Sequence, residues 1–201
     1  MKSLHLIVGA FVALWLAPGH AQAQDVNQIV EKVCSKCHEM DGNSASPKYP
    51  KLAGQRKEYL LNQLNAFRDH SRKDADAHEH MWEVARSLND ESTVKLADYF
   101  SAQKPKRGTP GDPQLAAKGK AIFEFGVKTK NVPQCVLCHT KTAEGLGVFP
   151  RLAGQHAQYL VKQIKVFHTD DRPKYGVTMK AVVDRLSDAE AEQVAAYLQG
   201  L

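Results

Sequence analysis

The chain has 201 residues and four cysteines, and all four cysteines lie in two copies of one pentapeptide pattern. The copies are Cys34-Ser35-Lys36-Cys37-His38 and Cys135-Val136-Leu137-Cys138-His139. Two thiols three residues apart project from one face of a helical turn, where they can add to the two vinyl groups of a porphyrin. The adjacent histidine can then offer its imidazole to the iron. The pattern therefore predicts two covalently bound haem c groups, one at each copy.

Two other kinds of site use paired cysteines. A redox disulfide in a Cys-x-x-Cys motif is typical of a thioredoxin-like βαβ pattern, and neither copy has such a pattern around it. Two cysteine pairs can also hold one zinc ion, but about 100 residues separate the pairs here, far more than in a zinc ribbon. Each pair also carries its own histidine, so we prefer haem attachment.

A methionine in each copy can supply a second axial ligand. A haem iron with one histidine has a sixth position that is either closed by another ligand or open for catalysis. Met40 is tied to the side of His38, which leaves Met81 and Met179 at equivalent positions of the two copies. We expect both to be distal ligands of the iron. The alternative is that each only fills the core.

Histidines near Met81 keep a further alternative open in the first copy. His78 and His80 flank this methionine, and imidazole is also a good iron ligand. Because the surrounding stretch is acidic, we expect both histidines to face solvent. Three other histidines lack a counterpart in the other copy and are expected on the surface: His70, His156 and His168.

A proline follows each haem motif at nearly the same distance. Pro50 lies 12 residues after His38, and Pro150 lies 11 residues after His139. A proline carbonyl can accept the Nδ1 proton of the axial imidazole, which orients the ring and raises its basicity as a ligand. The alternative is that each proline only forms a turn.

An internal repeat supplies the elements that position these groups. Residues 49–55 and 149–155 are identical at five of seven positions, with the shared pattern Pro-x-Leu-Ala-Gly-Gln. The match continues through Tyr59, Gln63 and Phe67, and the offset between copies stays between 98 and 101 residues. A period this long with two copies indicates a duplicated domain of about 80 to 90 residues.

Each copy has the hydrophobic pattern of a helical domain. A short helix leads into each haem motif, and an amphipathic helix follows Gly54 and Gly154. The last helix of each copy has a start signal, at Asn89 in the first and at the capping box Ser187–Glu190 in the second. No convincing alternating strand is present, so the sequence predicts an all-α fold.

The segments between and before the copies complete the domain plan. Residues 104–113 contain three prolines and two glycines, which indicates a semi-rigid linker between domains at 24–103 and 114–201. Residues 1–23 have the pattern of a cleaved signal peptide, with Lys2, an apolar run, and Ala21-Gln22-Ala23 as cleavage site. The apolar run is too short for an ordinary membrane span.

Charge is divided unevenly between the two copies. Residues 24–105 carry 12 basic and 13 acidic side chains, whereas residues 106–201 carry 14 and 9, so the net charges are −1 and +5. Such a dipole can orient a protein during an encounter. We predict that the second copy faces an acidic partner through Lys128, Lys130, Lys141 and Lys174. The alternative is that these lysines form a solvated face.

Together these features resemble the dihaem cytochrome c4 family. The resemblance rests on the paired haem motifs, the Pro-x-Leu-Ala-Gly-Gln segment after each, the late methionines and the short linker. It implies two tandem cytochrome c-like domains, each a few helices wrapped around one covalently bound haem and related by pseudo-twofold symmetry. It also implies His38 and Met81 as ligands of the first iron, and His139 and Met179 as ligands of the second.

The resemblance implies an electron-transfer protein of the periplasm and no enzyme. Its expected redox partners are an upstream quinol-oxidising complex and a membrane-bound terminal oxidase. It leaves room for peripheral association with the membrane and gives no reason to expect nucleic acid. The alternatives are a dihaem subunit of an enzyme complex, such as a flavocytochrome sulfide dehydrogenase, and a dihaem thiosulfate dehydrogenase. An enzyme needs an open or unusually ligated iron, whereas this chain offers a methionine for each haem.

Overall fold

The computed structural model describes residues 25–201, so the predicted signal peptide lies outside the described residues. Within this range the chain is helical and has no β-strand, only two isolated bridges, Val127 with Val132 and Leu146 with Phe149. Among the same residues, no helix is both long and apolar enough to cross a membrane. The predicted all-α fold is confirmed.

The first copy contains five α-helices and two π-helical turns. They are α1 (Val26–Ile29), a π-turn (Val30–Cys34), α2 (Ser35–His38), α3 (Lys57–Arg68), a second π-turn (Ala77–Met81), α4 (Trp82–Arg86) and α5 (Asp90–Ala102). Asn89 begins α5 by accepting a hydrogen bond from the backbone of Ser92, whose side chain accepts one from the backbone of Asn89. Such reciprocal bonds satisfy free amide groups at a helix start.

The second copy has a similar order, with an α-helix where the first has its second π-turn. Its elements are α6 (Pro113–Phe125), a 3₁₀ turn (Lys128–Lys130), α7 (Val136–His139), α8 (Ala157–Phe167), α9 (Val177–Val183) and α10 (Asp188–Gln199). The predicted capping box of Ser187 and Glu190 begins α10. Asp112 caps α6, and Pro113 takes the first helical position, where its missing N–H group costs nothing.

Each copy has its own apolar core. In the first, α3 packs on α5, and the core includes Val30, Leu60 and Phe100. In the second, α10 packs on α6 and α8, and the core includes Phe123 and Leu198. The predicted repeat therefore corresponds to two similar helical units.

The glycines of the repeated motif adopt positive φ angles where the backbone crosses the last helix. Gly54 has a φ of 63° and donates to the carbonyl of Phe100, and Gly154 has a φ of 72° and donates to that of Leu198. A Cβ atom on Gly54 would lie 2.9 Å from the ring of Pro105. The motif needs glycine because the linker packs against this backbone.

The glutamines of the same motif join the two copies. The side chain of Gln55 accepts from the backbone N–H of Arg151 (2.7 Å) and donates to its carbonyl (2.9 Å). Gln155 makes the same two bonds with Lys51, both 2.9 Å. Because these bonds are reciprocal, they indicate a pseudo-twofold arrangement of the copies.

Candidate functional site

One continuous cavity of about 650 Å³ runs through both copies. Its walls are mostly apolar side chains, including Leu60, Phe67, Leu160 and Phe167. The thiols, imidazoles and thioethers predicted to hold the haems all line it: Cys34, Cys37, His38, Met81, Cys135, Cys138, His139 and Met179. The fold therefore brings the two predicted ligand sets together in one apolar interior.

Both haem-motif histidines are buried and held through Nδ1. This atom lies 2.9 Å from the carbonyl oxygen of Pro50 in His38, and 3.0 Å from that of Pro150 in His139. Burial lowers the pKa of both histidines, which favours the neutral imidazole. When Nδ1 donates to the proline carbonyl, Nε2 keeps its lone pair and can bind a metal.

The chain turns sharply after each haem motif. Helices α2 and α7 end at His38 and His139, and the following residues, Glu39 and Thr140, have φ angles of 63° and 66°. Positive φ is costly for residues other than glycine and tends to occur at functional sites. Both copies keep this turn, which directs the chain away while the imidazole stays inside.

The first thiol of each motif has an apolar environment. Cys34 packs against the first core and Cys135 against the second. Burial raises the pKa of each thiol to about 11, so both are protonated at neutral pH. Walls of this kind suit the apolar face of a porphyrin.

The two methionines lie in different local structures. Met81 ends a π-turn, whereas Met179 lies in α9, and both are partly buried. His80 lines the cavity beside Met81; its Nε2 is buried and makes no hydrogen bond within residues 25–201. The expectation that His80 faces solvent is therefore wrong, because its side chain lines the cavity, where Nε2 lies 3.4 Å from Glu79. His78 is exposed, as expected, and its ring packs edge-on against Trp82.

The other unmatched histidines have separate positions. His70 is exposed and stacks on Trp82 at 4.0 Å between ring centroids, and His168 lies 3.4 Å from Asp184. His156 is not a free surface residue, because its Nε2 lies 2.9 Å from the carbonyl oxygen of Ser44 in the other copy. That contact depends on the docking of the copies, which local sequence does not reveal.

A buried polar cluster lines the cavity where the two copies meet. Arg72 donates to the side-chain oxygens of Gln63 (2.8 Å) and Gln163 (2.9 Å). Arg172 donates to the same two atoms, at 2.8 and 2.9 Å respectively. Each guanidinium also lies over a phenylalanine of its own copy, at 4.6 Å from Phe67 and 4.3 Å from Phe167. We call these two arginines and two glutamines the arginine–glutamine cluster.

These residues fit a c-type haem. Paired thiols, a neutral imidazole and a thioether supply attachment and ligation within an apolar interior. A haem also carries carboxylates, and the cavity offers two guanidinium groups for them. The Nε2 atom of Gln163 is buried and has no hydrogen-bond acceptor among residues 25–201, so it can donate to such a carboxylate.

The symmetry of the cluster is broken by one carboxylate. Asp74 is buried, and its Oδ2 accepts from Arg72 at 2.8 Å. The equivalent residue of the second copy is Lys174, which is exposed and pairs with Asp69 across the interface at 2.7 Å. Burial, and then the charge of Arg72, lowers the pKa of Arg172. The charge of Arg72 is therefore balanced by a buried carboxylate, whereas Arg172 has no carboxylate beside it within residues 25–201.

Sequence reasoning missed this cluster. Gln63 and Gln163 stand out as repeated residues, but the arginines were not identified. A signal was present, because Arg72 and Arg172 each follow the repeated phenylalanine by five residues. An arginine retained in both copies of an otherwise polar loop was the available clue.

Comparison with known proteins also indicates c-type haem sites in both copies. The family model described as "Cytochrome c" matches residues 23–104 and again residues 116–201. Cytochrome c4 from Pseudomonas aeruginosa is 36% identical over 205 residues, covering 100% of this chain and 98% of that protein. The structure of cytochrome c4 from Acidithiobacillus ferrooxidans has a TM-score of 0.78 and 40% identity, covering 84% of this chain and 98% of that one.

A further relative has a different printed role. The "Thiosulfate dehydrogenase electron acceptor" of Thiomonas intermedia is 34% identical over 171 residues, covering 82% of this chain and 76% of that protein. The two matched domains, the paired motifs and these relatives agree on cofactor content and on the general function. The chain belongs to the cytochrome c family, among the dihaem cytochromes c4, and is an electron-transfer protein with two covalently bound haem c groups.

Proposed function

We propose that this chain is a periplasmic electron shuttle that accepts electrons from a quinol-oxidising complex and donates them to a membrane-bound terminal oxidase. One observation carries the proposal. Each half of the cavity combines a buried histidine, whose Nδ1 lies against a proline carbonyl, with a methionine, so each iron would have both axial positions filled. Filled axial positions favour electron transfer over catalysis at the iron.

The chain's own residues have defined tasks in this proposal. His38 and Met81 ligate the first iron, and His139 and Met179 ligate the second. Cys34, Cys37, Cys135 and Cys138 form the thioether links. Pro50 and Pro150 hold the imidazoles through Nδ1, and the apolar walls exclude water. When bound, each haem supplies a one-electron redox centre whose potential depends on ligands, hydrogen bonds and burial.

The proposal includes the domain plan and the export of the protein. Residues 1–23 are a cleaved signal peptide, residues 24–103 and 114–201 are the two haem domains, and residues 104–113 are the linker. Contacts from the linker support a fixed arrangement. Asn43 donates to the carbonyl of Lys104 and accepts from the backbone of Lys106, and Gln199 donates to the carbonyl of Thr109.

Membrane vesicles with the periplasmic face outward test this function. Reduced protein with both haems is added to such vesicles from the bacterium that carries the gene, and its oxidation is followed by absorbance together with oxygen uptake. We expect rapid oxidation that cyanide abolishes. Failure of the vesicles to oxidise the protein in air would contradict donation to an oxidase.

A second candidate is acceptance of electrons from a thiosulfate-oxidising enzyme. It rests on the similarity to the thiosulfate dehydrogenase electron acceptor of Thiomonas intermedia. Thiosulfate alone should leave the oxidised protein unreduced, because both axial positions are filled, whereas thiosulfate with a thiosulfate dehydrogenase should reduce it. Reduction by thiosulfate alone would instead indicate an enzyme.

A further inference from the structure

Three equivalent positions near the cavity differ in character between the two copies. In the second copy they carry exposed aliphatic residues that line the cavity: Leu137, Val148 and Val177, with 72%, 53% and 66% of their surfaces exposed. Leu137 belongs to the haem motif, and Val148 precedes Phe149, whose ring lies 6.4 Å from that of His139. Val177 begins α9, two residues before Met179. The three residues therefore flank both the histidine and the methionine of the second site.

The equivalent positions of the first copy carry charged residues. Leu137 corresponds to Lys36, Val148 to Lys48 and Val177 to Glu79, and all three charged residues are exposed. A charged side chain is stable at such a position only in contact with water. These positions therefore face solvent in this fold. The apolar residues of the second copy at these positions are not explained by packing in a core.

We infer that Leu137, Val148 and Val177 form a docking patch for a redox protein whose contact face is apolar and edged with carboxylates. The inference rests on the proposed electron-shuttle function and assigns the contact with the membrane-bound partner to the second haem site. Apolar residues at the centre of an interface exclude water and supply most of its binding energy. Docking there brings the partner to the rim of the second site.

Charge complementarity identifies the partner as acidic. The second copy carries a net charge of +5, and Lys128 and Lys141 are exposed without an ion pair among residues 25–201. Lys130 is instead paired with Glu190 (2.6 Å) and Lys174 with Asp69 (2.7 Å), so these two lysines are already engaged within the chain. Of the four lysines predicted to face an acidic partner, Lys128 and Lys141 therefore remain available to attract carboxylates of a partner that docks at the apolar patch.

Exchanging rim residues between the copies tests the patch. One variant of the full protein with both haems carries Leu137→Lys, Val148→Lys and Val177→Glu. The matched control carries Lys36→Leu, Lys48→Val and Glu79→Val in the first copy. The first variant gains net positive charge, so slower reaction with an acidic partner cannot come from lost electrostatic attraction. The probe is the vesicle preparation described above, and ferricyanide serves as a small oxidant that needs no docking patch.

We expect oxidation by the vesicles to slow by roughly tenfold in the second-copy variant, which corresponds to the loss of about 1.4 kcal/mol of interaction. The first-copy variant should react like the unmodified protein, and ferricyanide should oxidise all three proteins at similar rates. Unchanged oxidation of the second-copy variant, or equal slowing of both variants, overturns the patch. A concentration-dependent dimer that only the second-copy variant loses would show that a second copy of the chain is the occupant, and it also overturns the proposal.

The same proteins separate failure of the patch from failure of the proposed function. If the vesicles do not oxidise the unmodified protein, donation to an oxidase is wrong. The vesicles are then supplied with succinate and tested as electron donors to the three oxidised proteins. Slower reduction of the second-copy variant alone would support the patch as an entry point for electrons. Equal reduction of all three proteins, or no reduction of any, overturns it.

Discussion

In the first copy a buried carboxylate, Asp74, lies beside Arg72, whereas the second copy places an exposed Lys174 at the same point of the repeat. The copies also differ at three equivalent positions near the cavity, which carry Lys36, Lys48 and Glu79 in the first and Leu137, Val148 and Val177 in the second. The thiols, histidines, prolines and methionines that we propose to bind or position the haem are the same in both. Duplication has therefore kept the proposed cofactor-binding groups, while groups around them, which influence potential and partner, have diverged.

Removing both thiols from either haem motif should have the largest effect. In the double variant Cys135→Ala with Cys138→Ala, any haem in the second copy should be extractable with acid and acetone, because both thioether links are lost, while the first haem stays attached through its own complete motif. The matched double variant Cys34→Ala with Cys37→Ala should show the reverse. Haem content per protein after extraction, measured separately for the two domains by mass spectrometry of proteolytic fragments, checks this. Two inextractable haems in both variants would contradict it.

Replacing the two methionines should distinguish the copies. Met179→Ala should open the second iron to cyanide and lower its potential, because the soft thioether is lost and the neighbouring Thr178 cannot replace it. In Met81→Ala we expect His80, which lines the same cavity, to take the free position, so the first iron should stay closed to cyanide. Ferric spectra with and without cyanide measure both.

The double variant Met81→Ala with His80→Ala provides the control for this comparison. It should bind cyanide at the first iron as readily as Met179→Ala does at the second. If Met81→Ala alone binds cyanide equally well, His80 does not reach the iron. If Met81→Ala leaves the ferric methionine charge-transfer band of the first haem unchanged, Met81 is not the ligand.

Neutralising the carboxylate that breaks the symmetry should destabilise the first copy. Asp74→Asn leaves the buried charge of Arg72 without its partner, and breaking a buried ion pair costs roughly 3–5 kcal/mol. The reduction potential of the first haem should also rise, because the interior gains net positive charge.

The matched control is Asp76→Asn, whose partner Lys162 is half-exposed, and it should change stability little. Urea unfolding and a redox titration at both haems measure the effects; equal responses in the two variants would argue against a special role of Asp74.

Acid should weaken the contact between the copies by a smaller amount. Burial raises the pKa of Asp69, but the hydrogen bond from Lys174 outweighs this effect. The pKa falls to about 2, below the value of about 3.9 for a free aspartate. The pair therefore contributes its full stabilisation above about pH 4 and loses it as the pH falls towards 2. Lys174→Gln should remove this dependence, whereas Lys180→Gln, which loses a pair within one copy, should keep it. Small-angle scattering across this pH range measures docking; an unchanged acid response in Lys174→Gln would contradict the role of the pair.

Local sequence was sufficient for the haem motifs and for the starts of the last helices, because both depend on neighbouring residues. The haem motifs are readable because two thioether links and a histidine must come from one helical turn. The helix starts at Asn89 and Ser187 are readable because a cap bonds to the backbone three residues away. The duplication, and with it the pairing of Met81 with Met179, follows from comparing the chain with itself.

Only the tertiary structure decided which groups meet between the copies. The arginine–glutamine cluster joins residues about 100 positions apart, and their contact depends on how the two domains dock, which no local periodicity encodes. The same docking pairs Lys174 with Asp69 and brings His156 to Ser44, although in sequence these residues look like ordinary surface positions. His80 lines the cavity whereas His78, in the same π-turn, is exposed, and the acidic sequence around both does not distinguish them. Sequence thus determined what each copy binds, and the packing of one copy against the other determined the electrostatic surroundings of each site.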